Sequence, residues 1–185
     1  MTLNLATAVK TGAQDHPQRT ALIRGAFEYQ GQKCSAASRA YVARSVWDRM
    51  GDDFLTEATE LTYGDIRDLS NFGGALIDRR AFDKSVAAID RAKTVAHMTV
   101  ATGGGCDDST GFFVRPTVLL SDDPTDEAFA TEYFGPILAV HVYDDAVFDE
   151  TLRLVDTTAK YALTGSIIAT DLDAAAHASQ VLRHA

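Results

Sequence analysis

Hydrophobic side chains recur every three or four positions in several parts of the chain, which is the pattern of amphipathic helices. In residues 45–61, for example, Val46, Met50 and Phe54 share one helical face. The same spacing predicts further helices. These helices cover residues 20–29, 75–97, 123–133 and 145–157. A last helix is predicted to begin after Asp171.

Short runs of β-branched and aromatic residues lie between these helices. They predict strands over residues 40–42, 98–102, 112–114, 117–120, 137–143 and 164–169. Strands that alternate with helices favour an α/β fold, in which a mostly parallel sheet is covered by helices on both faces. We therefore expect a three-layer αβα arrangement.

The pattern also bears on domain organisation. Residues 20–185 contain no repeat or linker and are expected to form one domain. Residues 1–19 are polar and weakly patterned, which predicts a weakly ordered leader. The last helix reaches Ala185 without a capping residue or a following strand. The domain is therefore expected to be truncated at its C-terminus.

Composition and charge exclude several classes of protein. The 185 residues include 26 acidic and 17 basic side chains, a net charge of −9, which argues against binding to nucleic-acid phosphates. No apolar run approaches the roughly 20 residues that span a bilayer, and residues 1–14 lack the features of a secretory signal. Two cysteines cannot form a disulfide framework. We therefore expect a cytoplasmic protein that binds neither nucleic acid nor membrane.

Cys34 is the first candidate for chemistry. It follows a turn of small residues, between the predicted helix at 20–29 and a short helical turn predicted over 35–39. A helix N-terminus and the neighbouring Lys33 would both favour the thiolate, which is the nucleophilic form. On residue type alone, a buried and inert cysteine explains the pattern equally well.

Other chemistry has weaker support. Cys106 is followed by Asp107 and Asp108, whose charge disfavours a thiolate, so we interpret it as incidental. The five histidines are scattered and no metal site is predicted, although a distant histidine could still meet Cys34 in a Cys-His hydrolase. Residues 103–105 are three glycines without a phosphate-loop pattern, which favours a flexible turn.

The run Thr-Glu-Tyr-Phe-Gly-Pro at residues 131–136 is the second candidate. Glu132, Phe134 and a Gly-Pro turn lie where a predicted helix is followed by a predicted strand. Strand ends in α/β sheets commonly face ligand crevices. The alternative interpretation is a helix terminator whose Phe134 lies in the core.

Taken together, these features resemble the aldehyde dehydrogenases. The sequence FEYQGQKCSA at residues 27–36 resembles their nucleophile segment, and most closely that of the Δ1-pyrroline-5-carboxylate dehydrogenase group. Glu132 opens a Glu-x-Phe-Gly-Pro run 98 residues after Cys34, in the order that the family uses. Further similar stretches cover residues 38–42, 71–78, 111–117, 154–158 and 161–165.

The resemblance implies NAD-dependent oxidation of L-glutamate γ-semialdehyde to L-glutamate, as in proline catabolism. Cys34 would add to the aldehyde carbon to form a thiohemiacetal and then a thioester, and its backbone N–H would help to hold the oxyanion. Ser35 would bind the substrate carboxylate. Glu132 would bind the nicotinamide-ribose hydroxyls, and Phe134 would lie near the nicotinamide.

The chain also departs from the family. Only 33 residues precede Cys34, so no NAD-binding domain is expected in this chain. No residue matches the general-base glutamate or the oxyanion-hole asparagine. We therefore expect poor turnover by these residues alone. The alternative is a catalytically incompetent fragment that acts as an assembly partner, as a homo-oligomer or by pairing with an intact homologue.

Overall fold

The computed structural model describes residues 17–182. Most of the predicted leader lies outside these residues, as do the last three residues of the chain. The helices are α1 (Pro17–Phe27), α2 (Arg44–Glu60), α3 (Arg79–Thr94), α4 (Glu127–Ala130), α5 (Phe148–Thr158) and α6 (Leu172–Val181). The strands are β1 (Arg39–Ala43), β2 (Met98–Thr102), β3 (Cys106–Asp107), β4 (Phe113–Val114), β5 (Thr117–Ser121) and β6 (Ile137–Tyr143). A short 3₁₀ helix covers Asp145–Val147, and Glu28–Gly31 form a tight turn in which Tyr29 and Gln30 have non-helical, left-handed backbone angles.

Four strands form the main sheet, in the order β1-β6-β5-β2. Strand β6 is parallel to both β1 and β5, and β2 runs antiparallel to β5 at one edge. Strands β3 and β4 pair separately as a small antiparallel ribbon. The prediction of a mostly parallel sheet is confirmed.

Helices cover both faces of this sheet. Along β6, Ile137 and Ala139 pack with α3 and α4, whereas Leu138 and Val140 pack with α1 and α2. These four side chains are almost fully buried, as expected for a central parallel strand that is apolar on both faces. The three-layer αβα arrangement is therefore confirmed.

Two predicted helices are shorter than the hydrophobic pattern indicated. Helix α3 begins after Asp78, whose carboxylate accepts a hydrogen bond from the N–H of Ala81 at 2.9 Å. Within residues 123–133, only the four residues of α4 are helical, because Asp126 caps its start and Thr131 is already extended. Hydrophobic spacing does not mark these ends, whereas the side chains that cap them do.

Two further predictions are wrong. Residues 164–169 form no strand, because none of the described strands lies beside them to share backbone hydrogen bonds. Ile167 and Ile168 are consequently 39% and 45% exposed. Residues 35–39 form no helical turn, because residues 36–38 are irregular and Arg39 is already the first residue of β1. The predicted cap of the last helix is correct, since Asp171 accepts hydrogen bonds from the first turn of α6.

Candidate active site

Cys34 lies at the tip of a tight turn between α1 and β1. Tyr29, Gln30 and Gly31 have φ angles of 58°, 58° and 64°, so three consecutive left-handed residues reverse the chain after α1. The N–H of Ala36 then donates to the carbonyl of Lys33 at 3.0 Å and closes the turn around Cys34. The cysteine is exposed, so the interpretation as a buried residue is wrong.

The two features that were expected to favour the Cys34 thiolate are arranged differently from the prediction. The residues that directly follow the cysteine lead into β1 rather than into a helix, and the ammonium of Lys33 is bound to Glu28 at 2.6 Å. That hydrogen bond is the main cause that lowers the pKa of Glu28. Within residues 17–182, the backbone N–H of Cys34 has no hydrogen-bond partner, so it is available to a substrate oxygen.

Two glycines join the cysteine turn to the run at 131–136. Gly31 is buried and left-handed, and a Cβ added to it would overlap the carbonyl oxygen of Gly135. Only glycine permits this approach of the two backbones. Segments that are about 100 positions apart in sequence thus meet in space.

Glu132 and Phe134 both lie on the surface of this junction. Phe134 has a φ of 54° and is 39% exposed, so its interpretation as a core residue is wrong; the neighbouring Tyr133 is the buried aromatic. The carboxylate of Glu132 accepts a hydrogen bond from the N–H of Phe134 at 3.1 Å. Lys84 of α3 donates to the carbonyl oxygen of Glu132 at 3.3 Å.

An open cleft of about 570 Å³ lies beside the junction. Apolar and polar side chains from the cysteine turn, the loop before α3, the first turns of α3 and the Phe134 loop line it. They are Tyr29, Gln30, Gln32, Ala75, Ile77, Asp78, Arg80, Ala81, Lys84 and Phe134. Cys34, Ser35 and Glu132 do not line this cleft, although Cys34 and Glu132 are each two positions from a residue that does. No hydrogen bond of Ser35 to another part of residues 17–182 is present.

Several residues that line the cleft were not identified by the sequence analysis. Arg80 and Lys84 are four positions apart at the start of α3, which places them on one helical face; that spacing was the available signal. Gln32 accepts a hydrogen bond from the N–H of Ile77 at 3.1 Å and fastens the cysteine turn to the loop before α3. Ile77 is 83% exposed, and no sequence pattern marked it as a site residue.

The described histidines do not contact Cys34. His97 binds Asp126, His177 binds Asp149, and His141 binds the backbone of Ser121. His16 and His184 lie outside the described residues. Between residues 17 and 182, no cluster of His, Cys, Asp and Glu side chains could hold a metal ion.

The remaining sequence candidates have structural explanations. Gly103 and Gly104 have φ angles of 80° and 75° and lie in the connection between β2 and β3, where a flexible turn was predicted. Partial desolvation is the main cause that raises the pKa of Cys106, and the charge of Asp90 adds to it. The direction agrees with the sequence argument, but its causes are not the carboxylates of Asp107 and Asp108.

Comparison with known proteins identifies the family. The sequence profile of the aldehyde dehydrogenase family matches residues 6–185. The chain belongs to the aldehyde dehydrogenase family. Within it, the chain is 44% identical to a Dictyostelium discoideum protein over 88% of this chain and 29% of that protein, and 42% identical to a Homo sapiens protein over the same shares. Both relatives are named mitochondrial delta-1-pyrroline-5-carboxylate dehydrogenase.

Solved aldehyde dehydrogenase structures share the fold. A Mycobacterium tuberculosis Delta-pyrroline-5-carboxylate dehydrogenase bound with NAD is 63% identical, with a TM-score of 0.83, over 89% of this chain and 30% of that chain. A Staphylococcus aureus betaine aldehyde dehydrogenase in complex with NAD⁺ is 25% identical, with a TM-score of 0.81, over 90% of this chain and 33% of that chain. This chain thus spans about 30% of the length of the pyrroline-carboxylate relatives.

In the part of the chain that the structure describes, no helix has the length and apolarity to cross a membrane. Several relatives carry names that place them in mitochondria, so a cytoplasmic location stays a prediction for this aldehyde dehydrogenase.

Proposed function

We propose that this chain carries the nucleophile and part of the cofactor site of an NAD-dependent dehydrogenase that oxidises L-glutamate γ-semialdehyde to L-glutamate in proline catabolism. The observation that carries the proposal is the packing of Gly31 against Gly135, which joins the cysteine turn to the Glu132–Phe134 region. The names of the relatives supply the substrate class. Because the chain covers about 30% of those relatives, the activity is proposed for the protein of which these residues are the catalytic part.

The chemistry proposed for Cys34 follows from its exposure on the turn. As a thiolate, its Sγ adds to the aldehyde carbon and leaves a negative charge on the former carbonyl oxygen. The N–H of Cys34 is free to donate to that oxygen. Loss of hydride from the same carbon converts the thiohemiacetal into a thioester, and attack by water then releases the carboxylic acid and restores the thiol.

The residues near the cleft fit a nicotinamide dinucleotide. When bound, NAD accepts the hydride. Phe134, Tyr29 and Ile77 are exposed and give the cleft an apolar wall for a flat ring. One oxygen of the Glu132 carboxylate binds the N–H of Phe134, and the other has no partner within residues 17–182. That oxygen can accept hydrogen bonds from ribose hydroxyls.

Ser35 is the proposed contact for the carboxylate of the substrate. It is half-buried beside Cys34, and its hydroxyl makes no hydrogen bond to other described residues. A hydroxyl donor next to the nucleophile would orient an acidic aldehyde. On this proposal, the Ser35→Ala variant binds the semialdehyde more weakly than it binds an uncharged aldehyde.

The test is a chimera in which this chain replaces the matching segment of the Mycobacterium tuberculosis relative. We expect NADH formation with L-glutamate γ-semialdehyde and NAD. The Cys34→Ala change should reduce the rate by at least about a thousand-fold, because the covalent step is lost. Cys106→Ala, the matched control for removal of a thiol, should retain the rate. A folded chimera that binds NAD but turns over equally well without Cys34 refutes the proposal.

The exposed apolar segment at residues 161–172 favours a second candidate function, which is an assembly partner without catalysis. Within it, Tyr161, Leu163 and Leu172 are at least 75% exposed, and β1 is an open edge of the described sheet. Size-exclusion chromatography with the full-length Mycobacterium tuberculosis relative tests this candidate. Co-elution at a larger size supports pairing, and unchanged elution of both proteins counts against it.

A further inference from the structure

Asp126 is a buried carboxylate at the start of the segment that carries Glu132 and Phe134. Its side chain is 2% exposed. Arg91 of α3 donates two hydrogen bonds to it, at 3.0 and 2.7 Å, and His97 and the N–H of Ala128 each lie 2.8 Å away. Asp126 is also the N-cap of α4, so these four contacts all lie at the start of that helix.

The charges around Asp126 outweigh its burial. Burial alone would raise the pKa of this carboxyl, but the hydrogen bonds from Arg91, Ala128 and His97 lower the pKa to about 2. The carboxylate is therefore ionised at neutral pH, when it can accept both bonds from the guanidinium. Glu127 also contacts Arg91, at 3.4 Å.

The same helix holds the other end of the segment. Lys84 lies seven residues before Arg91, which is about two turns of α3 and places both on one side. Lys84 donates to the carbonyl of Glu132, and a Cβ added to Gly135 would lie 2.8 Å from the Oγ of Ser85. Helix α3 thus contacts the segment from Asp126 to Gly135 near both ends.

The segment needs such support. Helix α4 is one turn long, and a single turn is not stable by itself. Phe134 is left-handed, and such backbone strain persists only when the surroundings hold it. The contacts with α3 supply that restraint.

We propose that Asp126 is a positioning residue, which acts through Arg91 and α3 to hold Glu132 and Phe134 in place beside the cleft. The importance of this positioning for cofactor binding rests on the proposed function of Glu132 and Phe134. The positioning itself concerns only contacts within this chain, so it is tested without NAD or substrate.

Hydrogen exchange of the full chain, followed by mass spectrometry, provides the test. Thr131 donates its N–H to the carbonyl of Glu127, so its exchange reports on the segment. In Asp126→Asn we expect amides 129–134 to exchange at least about tenfold faster, with unchanged protection in β5 and β6. The control is Asp108→Asn, which breaks an exposed ion pair with Arg79 at the start of α3. It should leave amides 129–134 unchanged.

A second variant keeps the proposal testable if Asp126→Asn fails to fold. Arg91→Lys retains the positive charge but loses the paired hydrogen bonds, and we expect a smaller acceleration confined to amides 129–134. Unchanged exchange in a folded variant, or acceleration spread evenly over β5 and β6, overturns the proposal. If the segment loosens as expected while Glu132→Gln leaves NAD binding by the chimera unchanged, the cofactor role of Glu132 fails and the positioning role stands.

Discussion

Gly31 is the residue whose replacement we expect to be most damaging. Alanine there adopts a left-handed φ, which costs about 1 kcal/mol, and its Cβ overlaps the backbone of Gly135. We predict that Gly31→Ala lowers the free energy of unfolding by about 2–4 kcal/mol, measured by urea denaturation.

Gly25 provides the matched control for this prediction. It lies in α1, and an added Cβ would sit 3.7 Å from that of Ala37, which is ordinary contact. Gly25→Ala should therefore leave the stability unchanged or raise it by up to about 1 kcal/mol. Equal destabilisation by the two changes would show that the Gly31–Gly135 approach has no special role.

The two cysteines should differ in their rate of alkylation. Both cysteines are exposed, but partial desolvation raises the pKa of Cys106 and makes its thiolate scarcer. At pH 8 we predict that iodoacetamide modifies Cys34 first, as measured by peptide mass spectrometry over time. Faster modification of Cys106 would contradict this view of its surroundings.

At the scale of single residues, the motif residues could be predicted from the sequence, but the backbone conformation of the residues around them could not. Cys34, Glu132 and Phe134 were selected from short motifs, and the structure places their two segments side by side. The left-handed conformation of Tyr29 and Gln30 could not be predicted, because L-residues rarely adopt it and no sequence pattern indicates it. The roles of Cys34, Ser35, Glu132 and Phe134 stay predictions.

Helix α4 depends on the ionised form of Asp126, which predicts a pH dependence. A folded-state pKa lowered from 3.8 to about 2 contributes stability above pH 4, and this contribution is lost as the pH falls towards 2. It amounts to about 2 kcal/mol. The stability difference between the wild-type chain and Asp126→Asn should therefore shrink by about that amount between pH 5 and pH 2.

Chemical denaturation at both pH values measures this difference. Asp108→Asn serves as the control, because its exposed pair with Arg79 is expected to contribute little at any pH. A difference that is constant with pH would mean that Asp126 has an ordinary pKa in the folded chain.

Among the helices and strands, the best predicted were those with a strong hydrophobic period that also pack or pair with another element in the described part of the chain. The helix at 45–61 and the strand at 137–143 match α2 and β6 to within a residue. The strand at 164–169 failed, because β-propensity describes a segment and pairing requires a neighbouring strand. The helix at 123–133 failed in length, because local caps rather than hydrophobic spacing end α4.

At the scale of the whole molecule, the segment at 161–172 is exposed, and no other part of residues 17–182 covers it. Ile168 is 45% exposed in an extended stretch close in sequence to the exposed Leu163 and Leu172. We predict that the chain associates as its concentration rises and that Ile168→Lys weakens this association, because a charge opposes burial of that surface. Sedimentation velocity over a range of concentrations measures it.

A lysine placed in another loop is the control for non-specific association. Ile66 is 75% exposed in the loop between α2 and α3, and Ile66→Lys should leave the association unchanged. A chain that remains monomeric at all concentrations, or one that responds equally to both changes, contradicts the prediction.

If the cysteine turn and Phe134 belong to one site, a fluorophore on Cys34 lies close to position 134, and fluorescence can test that proximity. Bimane attached to Cys34 in a Cys106→Ser background is quenched by a nearby tryptophan, and Trp47 provides a constant background. Phe134→Trp should quench the bimane strongly. Thr99→Trp should not, because β2 lies three strand spacings, or about 14 Å, across the sheet from β1, which follows Cys34. Equal emission from the two variants would contradict the joining of the two segments.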